Sequence, residues 1–168
     1  MAFGIDLSQL QAFAQKMQRY ANESFKQELA ALMKGIGADF LAIVQDVIIA
    51  EQIVDTRLLL ASFGQGGPEN IWNESDGGLT IEVGSGQEYA GFVNDGHHTT
   101  PAGVAQRFVP GEWKGGRFQY QPGAKTGMML KRKWVAGQHY WETALRQAKP
   151  IVERAAHEAI SRWIAQFF

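Results

Sequence analysis

A chain of 168 residues, 45% hydrophobic and 20% charged, is long enough for one domain with a sizeable core and too apolar for wholesale disorder. Its formal net charge of -1 excludes a nucleic-acid-binding field over the whole surface but leaves room for a local patch. It has no cysteine, which excludes disulfides, thiolate catalysis and thiolate zinc sites and suits a reducing compartment. The opening "MAFGIDLSQL" lacks the basic start and apolar run of a secretory signal, and no window approaches the ~18 apolar residues of a membrane span, so a soluble intracellular product is expected.

Residues 6 to about 51 read as helix. Asp6 can cap the first turn with Gln9 in capping-box spacing, and Leu7, Leu10, Phe13, Met17 and Tyr20 recur at helical intervals. Leu29, Leu32, Met33, Ile36, Phe40, Ile43, Val44, Val47 and Ile48 continue the stripe more strongly, with Asn22, Gly35 and Gly37 as points where it could bend or break. So wide an apolar face must lie against the domain's own sheet or a neighbouring subunit. In "VDTRLLLASF", Asp55 or Thr56 can cap a second, short helix that runs into the glycine-rich "GQGGPEN". "NIWNESDGGLTIEV" predicts a hairpin: Ile71 and Trp72 on one strand, Asp76-Gly77-Gly78 as the turn, and Leu79, Ile81 and Val83 alternating with polar residues on the other.

Residues 99 to 138 are rich in glycine and aromatics. Short strands are expected around "RFQYQ" and "MMLKRKWV", with loop elsewhere, so the segment reads as a long basic aromatic loop. Arg107, Lys114, Arg117, Lys125, Lys131, Arg132 and Lys133 face only Glu112 there. Residues 139 to 167 predict a closing helix with a stripe of Ala144, Leu145, Ala148, Val152, Ala155, Ala159, Ile160, Trp163 and Phe167, which Pro150 should kink or split. No internal repeat or long linker is present, so the pattern predicts an α+β fold in one domain spanning 1–168: a long N-terminal and a C-terminal helix on a small antiparallel sheet, with a loop insertion at about 99–138.

Few residue patterns carry chemistry. In "YAGFVNDGHH", His97 and His98 with Asp95 could join His139 or His157 around a metal, but nothing fixes their convergence and no ligand spacing is present. A polar turn at Asn94-Asp95-Gly96 with histidines at its exit is the plainer reading. There is no Gly-x-Ser-x-Gly elbow, Ser62 and Ser85 lack a recognisable catalytic partner, and "GQGGPEN" and "VGSGQ" lack the lysine and hydroxyl of a phosphate loop. No catalytic, cofactor or metal residue is therefore assigned. "GEWKGGRFQYQPGAKTG" interleaves basic side chains with Trp113, Phe118 and Tyr120. That pattern suits docking onto an acidic protein surface, or single-stranded nucleic acid through stacking and phosphate contacts, or an inert loop, with protein docking favoured.

A resemblance adds to this. The order of elements, with "VDTRLLLASF" before the hairpin and "IEVGSGQEYAGFVNDG" at its end, resembles the minor head–tail joining family of long-tailed phages, also called neck or tail-completion proteins. Val54, Asp55, Thr56, Leu59 and Ser62 match that family's Val-Asp-Thr-Gly-x-Leu-Arg-x-Ser segment; Tyr89, Ala90, Val93 and Gly96 match its Tyr-Ala-x-x-Val-Glu-x-Gly segment. Arg57 stands where glycine is common, Leu60 where arginine is, and Asn94 where an acidic residue is. The stretch from "RFVPGEWKGG" to "HYWETAL" is similar to a longer variant seen in contractile, PBSX-like phages and phage-tail-derived bacteriocins. The resemblance implies a non-enzymatic virion part without cofactors, made in the host bacterial cytoplasm and placed at the head-proximal end of the tail. It implies a cyclic homo-oligomer that touches the tail tube or terminator and the head connector, and no membrane. The docking segment would then reach a neighbouring ring or line the path of passing DNA through Arg107, Trp113, Lys114, Arg117, Phe118, Tyr120, Lys125, Lys131, Arg132 and Lys133.

Overall fold

The computed structural model describes residues 24–53 and 57–165. The expected Asp6 cap, the stripe from Leu7 to Tyr20, the break at Asn22, the Val54-Asp55-Thr56 motif and Phe167 lie outside them. Helix α1 spans Ser24–Ala50, α2 Leu58–Ser62, β1 Asn70–Ser75, β2 Thr80–Ser85, α3 Ala90–Asp95, β3 Gly96–His98, β4 Gln106–Lys114, β5 Arg117–Tyr120, β6 Gly127–Lys131, β7 Trp134–Ala136 and α4 Tyr140–Ala165. The fold is α+β, and every strand pair is antiparallel. The described residues form two compact units, one of residues 24–53, 57–87 and 140–165 and one of 88–139. No helix among them is long and apolar enough to cross a membrane.

In the first unit the helical periodicity becomes burial. Phe40, Leu41, Val44, Val47 and Ile48 are buried along α1, Ala144, Ala148 and Trp163 are buried along α4, and the two helices pack on each other. Phe25 stacks near Trp163 with ring centroids 4.3 Å apart, and Phe40 meets Trp141 edge-on at 4.9 Å, so the helices run antiparallel. Alpha helix α4 does not split at Pro150. The proline ring is exposed, and the apolar contacts on both sides of it offset the ~3 kcal/mol that an interior proline costs.

The expected β1–β2 hairpin lies along α1, with Trp72 opposite Val83 and Glu74 opposite Ile81. Helix α1 passes through both glycines without a break. Gly35 has open space around it, whereas a Cβ on Gly37 would stand 3.2 Å from both Ile81 and Trp72. Gly37 therefore sets how closely the hairpin approaches the helix. Lys34 pairs with Glu74 at 2.9 Å, and Trp72 donates to the same carboxyl at 3.1 Å. These two contacts, the lysine first, hold the Glu74 carboxyl below its ordinary range.

Ser62 ties α2 to the hairpin. Its hydroxyl is fully buried, donates to the Leu59 carbonyl at 2.7 Å and lies 2.6 Å from the Ser85 hydroxyl. A serine has one proton to give, so Ser85 is the donor between the two. Ser85 in turn accepts from the Gln87 amide at 3.1 Å. The two serines, without a nucleophile's partners, are each other's.

Just before α2, Arg57 sits in the left-handed region at φ 62. This is the position where glycine is common in the resembled family, and the backbone shows why: a residue with Cβ is strained there by about 1 kcal/mol. Arg57 is exposed and forms no ion pair among the described residues. Arg57→Gly should therefore raise the unfolding free energy by about 0.5–1 kcal/mol in urea titrations, since relief of the strain exceeds the extra chain entropy of glycine. A loss of stability would contradict the strained conformation.

Candidate docking surface

The second unit is built from strands, and this corrects the expected long loop. Strands β4, β5 and β6 form a sheet in the order β5-β4-β6, and β3 pairs with β7. Proline and glycine at 110 and 111 argue against a strand, yet β4 runs through both. It does so because it changes partner there. Gln106 to Pro110 pair with β6, and Gly111 to Lys114 pair with β5. Aromatic rings cover the glycines. The Phe118 ring lies where a Cβ of Gly111 would be, and the Phe108 ring where that of Gly127 would be.

Period-two alternation places Arg107, Val109 and Trp113 on one face of this sheet with their opposed partners Leu130, Met128 and Phe118. The strands pack mainly on one another, and large apolar side chains stay in water: Trp113 is 63% exposed and Tyr120 64%. Trp113 and Phe118 meet edge-on at 5.5 Å near the tip of the β4–β5 hairpin. That tip is the two-residue turn Gly115-Gly116, both at positive φ, which suits the twist of the flanking strands.

The ten residues expected to dock separate by role. Trp113, Lys114, Arg117, Phe118 and Tyr120 gather on the one hairpin. Arg107 stands at the far end of β4, Lys131 on β6, Lys125 on the turn before β6, and Lys133 between β6 and β7; all four are exposed. Arg132 is committed to its own unit, donating to the Pro101 carbonyl at 2.6 Å and the Thr100 carbonyl at 3.0 Å. Lys114 pairs with Glu112 at 2.6 Å, and Gln121 donates to the same oxygen. That lysine, then that amide, hold the Glu112 carboxyl below its ordinary range. Phe108, Met129 and Trp134 are also exposed, and sequence reasoning passed over them. Each stands next to or opposite a strand residue in the basic stretch, which was the signal available.

Expected at the exit of a polar turn, His97 and His98 are instead strand residues. Helix α3 ends at Gly96, and His97 and His98 follow on β3, opposite Val135 and Trp134. Neighbours on a strand point to opposite faces. His97 sits 3.4 Å from the Phe92 carbonyl, and the His98 ring packs edge-on against Trp134 at 5.1 Å. The unit closes where the amides of Gln138 and His139 donate to the carbonyls of Val93 and Asn94. Among the described residues no group of three or more His, Cys, Asp or Glu could hold a metal ion.

The small sheet of the second unit, with its uncovered aromatic and basic side chains, is the candidate docking surface, and relatives show the family it occurs in. Residues 11–96 match the family described as "Bacteriophage HK97-gp10, putative tail-component". The chain is 42% identical over 144 residues to "Phage-like element PBSX protein XkdI" of Bacillus subtilis (strain 168), which covers 86% of this chain and 88% of the relative. It is 39% identical over 162 residues to "Uncharacterized protein YqbI" of the same organism, covering 95% and 97%. The chain belongs to the HK97-gp10-like family of phage tail components. No solved structure matches it.

Proposed function

We propose that this chain is a neck or tail-completion protein of a phage or phage-like contractile particle, working as a ring at the head-proximal end of the tail between the tail tube or terminator and the head connector. The observation that carries the reading is the uncovered sheet of the second unit, with Trp113 and Tyr120 in water on a chain of the tail-component family. Exposed aromatics beside arginine are the groups that anchor protein interfaces. The similarity to a protein of a PBSX phage-like element agrees with a tail-like particle. A ring follows from the cyclic symmetry of a tail, and head-to-tail contacts between copies close into rings.

Deleting the gene in producing cells and complementing it tests the reading. Wild type should restore joined particles, and the Trp113→Ala, Arg117→Ala double variant should fold normally but leave tails unfinished. Full rescue by the double variant would remove the hairpin from assembly.

A second reading is favoured by one feature. Arg107, Arg117, Lys125, Lys131 and Lys133 stand exposed beside Trp113 and Tyr120, a combination that binds single-stranded nucleic acid. It requires affinity for DNA that falls steeply with salt, because phosphate contacts release counterions. Absent or salt-insensitive binding would remove it.

A further inference from the structure

The two units carry opposite charge. Residues 88–139 hold seven Lys or Arg against three Asp or Glu, a net of +4, which leaves -5 on the remainder of a chain whose total is -1. A net charge split this way between two bodies of one chain attracts unlike bodies of different copies and repels like ones. It therefore favours contact between unlike bodies of neighbouring copies over contact between like ones.

The first unit also has a place for an apolar anchor. Between α1, β2 and α4 runs an open groove of about 590 Å³ whose walls include Met33, Ile36, Ile81, Leu145 and Val152. Its surface is almost wholly apolar, and Leu145 is 49% exposed. Lys149 and Glu153 complete the α4 wall. Water in such a groove gains few hydrogen bonds, so an apolar occupant displaces it favourably.

We infer that the tip of the β4–β5 hairpin of one copy, led by Trp113 and Phe118, seats in this groove of the next copy. The inference rests on the ring reading proposed above and assigns its two contact surfaces. The exposed Trp113 ring, backed by Phe118, brings apolar surface on a stalk short enough to enter a groove. Arg117 and Lys114 at the tip arrive at the acidic body, with Glu153 in the groove wall. The contact is heterologous: each copy offers a hairpin to one neighbour and a groove to the other, so the chain of contacts closes as a ring.

The absence of native cysteines makes the contact directly testable. Gln119→Cys and Lys149→Cys variants, both at exposed positions, are mixed and treated with a short bismaleimide. This is done with concentrated purified protein and with particles from cells making both variants. The expected result is a covalent heterodimer of one copy of each variant, with neither variant alone linking to itself. No heterodimer in either sample, or equal self-linking of either variant alone, would overturn the inference and leave the groove to another occupant. Heterodimer from the purified protein but none of the chain in particles would sink the neck reading while leaving the self-docking intact.

Discussion

Replacing Phe63 by alanine should lower the unfolding free energy of the helical unit by about 3–5 kcal/mol, the usual cost of removing a buried aromatic ring. Phe63 is 2% exposed and lies where the end of α2 meets the start of α4. Its ring meets Tyr140 edge-on with centroids 5.9 Å apart and lies 6.1 Å from that of Trp141. Both partners are themselves ring-packed or buried, Trp141 against Phe40 and Tyr140 at 2% exposure, so the site cannot collapse into the space the ring leaves. Its backbone adds to the rigidity, because the Phe63 amide donates to Leu60 at 3.3 Å and Gly64 returns to Ala61 at 3.0 Å. A comparison sets the scale: Trp113→Ala removes a larger ring, but one that is 63% exposed, and should change stability by no more than about 0.5 kcal/mol. Urea titrations followed by circular dichroism read both. A loss below about 1 kcal/mol at Phe63 would mean that this corner is not packed as described.

Gly96→Ala should disrupt the β3–β7 pairing and cost about 3 kcal/mol or more. Gly96 adopts φ 84 with ψ 169, a region open essentially to glycine alone. The position also has no room. A Cβ there would stand 2.6 Å from the Val135 carbonyl oxygen, 2.7 Å from the Gly137 amide nitrogen and 2.7 Å from the Trp134 ring. Two of the three obstacles are backbone, of β7 and of the residue that follows it, and cannot rotate away. Strain and clash therefore act on the same residue, at the point where α3 stops and β3 begins. Amide hydrogen exchange distinguishes the local effect from a global one. Protection should be lost at Val135 and Gly137 while α1 amides keep theirs. Unchanged protection in β7 would contradict the geometry at Gly96.

The helices and the first hairpin were legible because their burial follows a simple period. One face of α1 meets α4 and the hairpin, so apolar residues recur every three or four positions, and Trp72, Ile81 and Val83 alternate because one side of β1–β2 faces a helix. In the second unit the strands expected around "RFQYQ" and "MMLKRKWV" are present as β5, β6 and β7, but β4 and the sheet as a whole were not legible, for the opposite reason. Its sheet is uncovered, so nothing imposes alternation, and Phe108 and Met129 stand opposite each other in solvent. Pro110 and Gly111 gave breaker signals inside a nine-residue strand, since neither pairing partner spans both of them.

At the candidate site the hairpin aromatics and cations were legible from composition. The commitment of Arg132 to the Thr100 and Pro101 carbonyls was not, because it depends on a contact some thirty residues away in sequence. Arg57 shows a departure from a family pattern becoming physical: the common glycine is explained by a φ of 62. Asn94, at the position where an acidic residue is common, is buried and donates to Asp95 at 2.7 Å, so the carboxylate remains in the motif one residue later.

Immunogold labelling of particles released from producing cells, with an antibody against this chain, tests the neck assignment most directly. Gold gathered at the head-proximal end of the tails is the expected result. Intact tails without gold there, with the protein remaining soluble outside the particles, would contradict it.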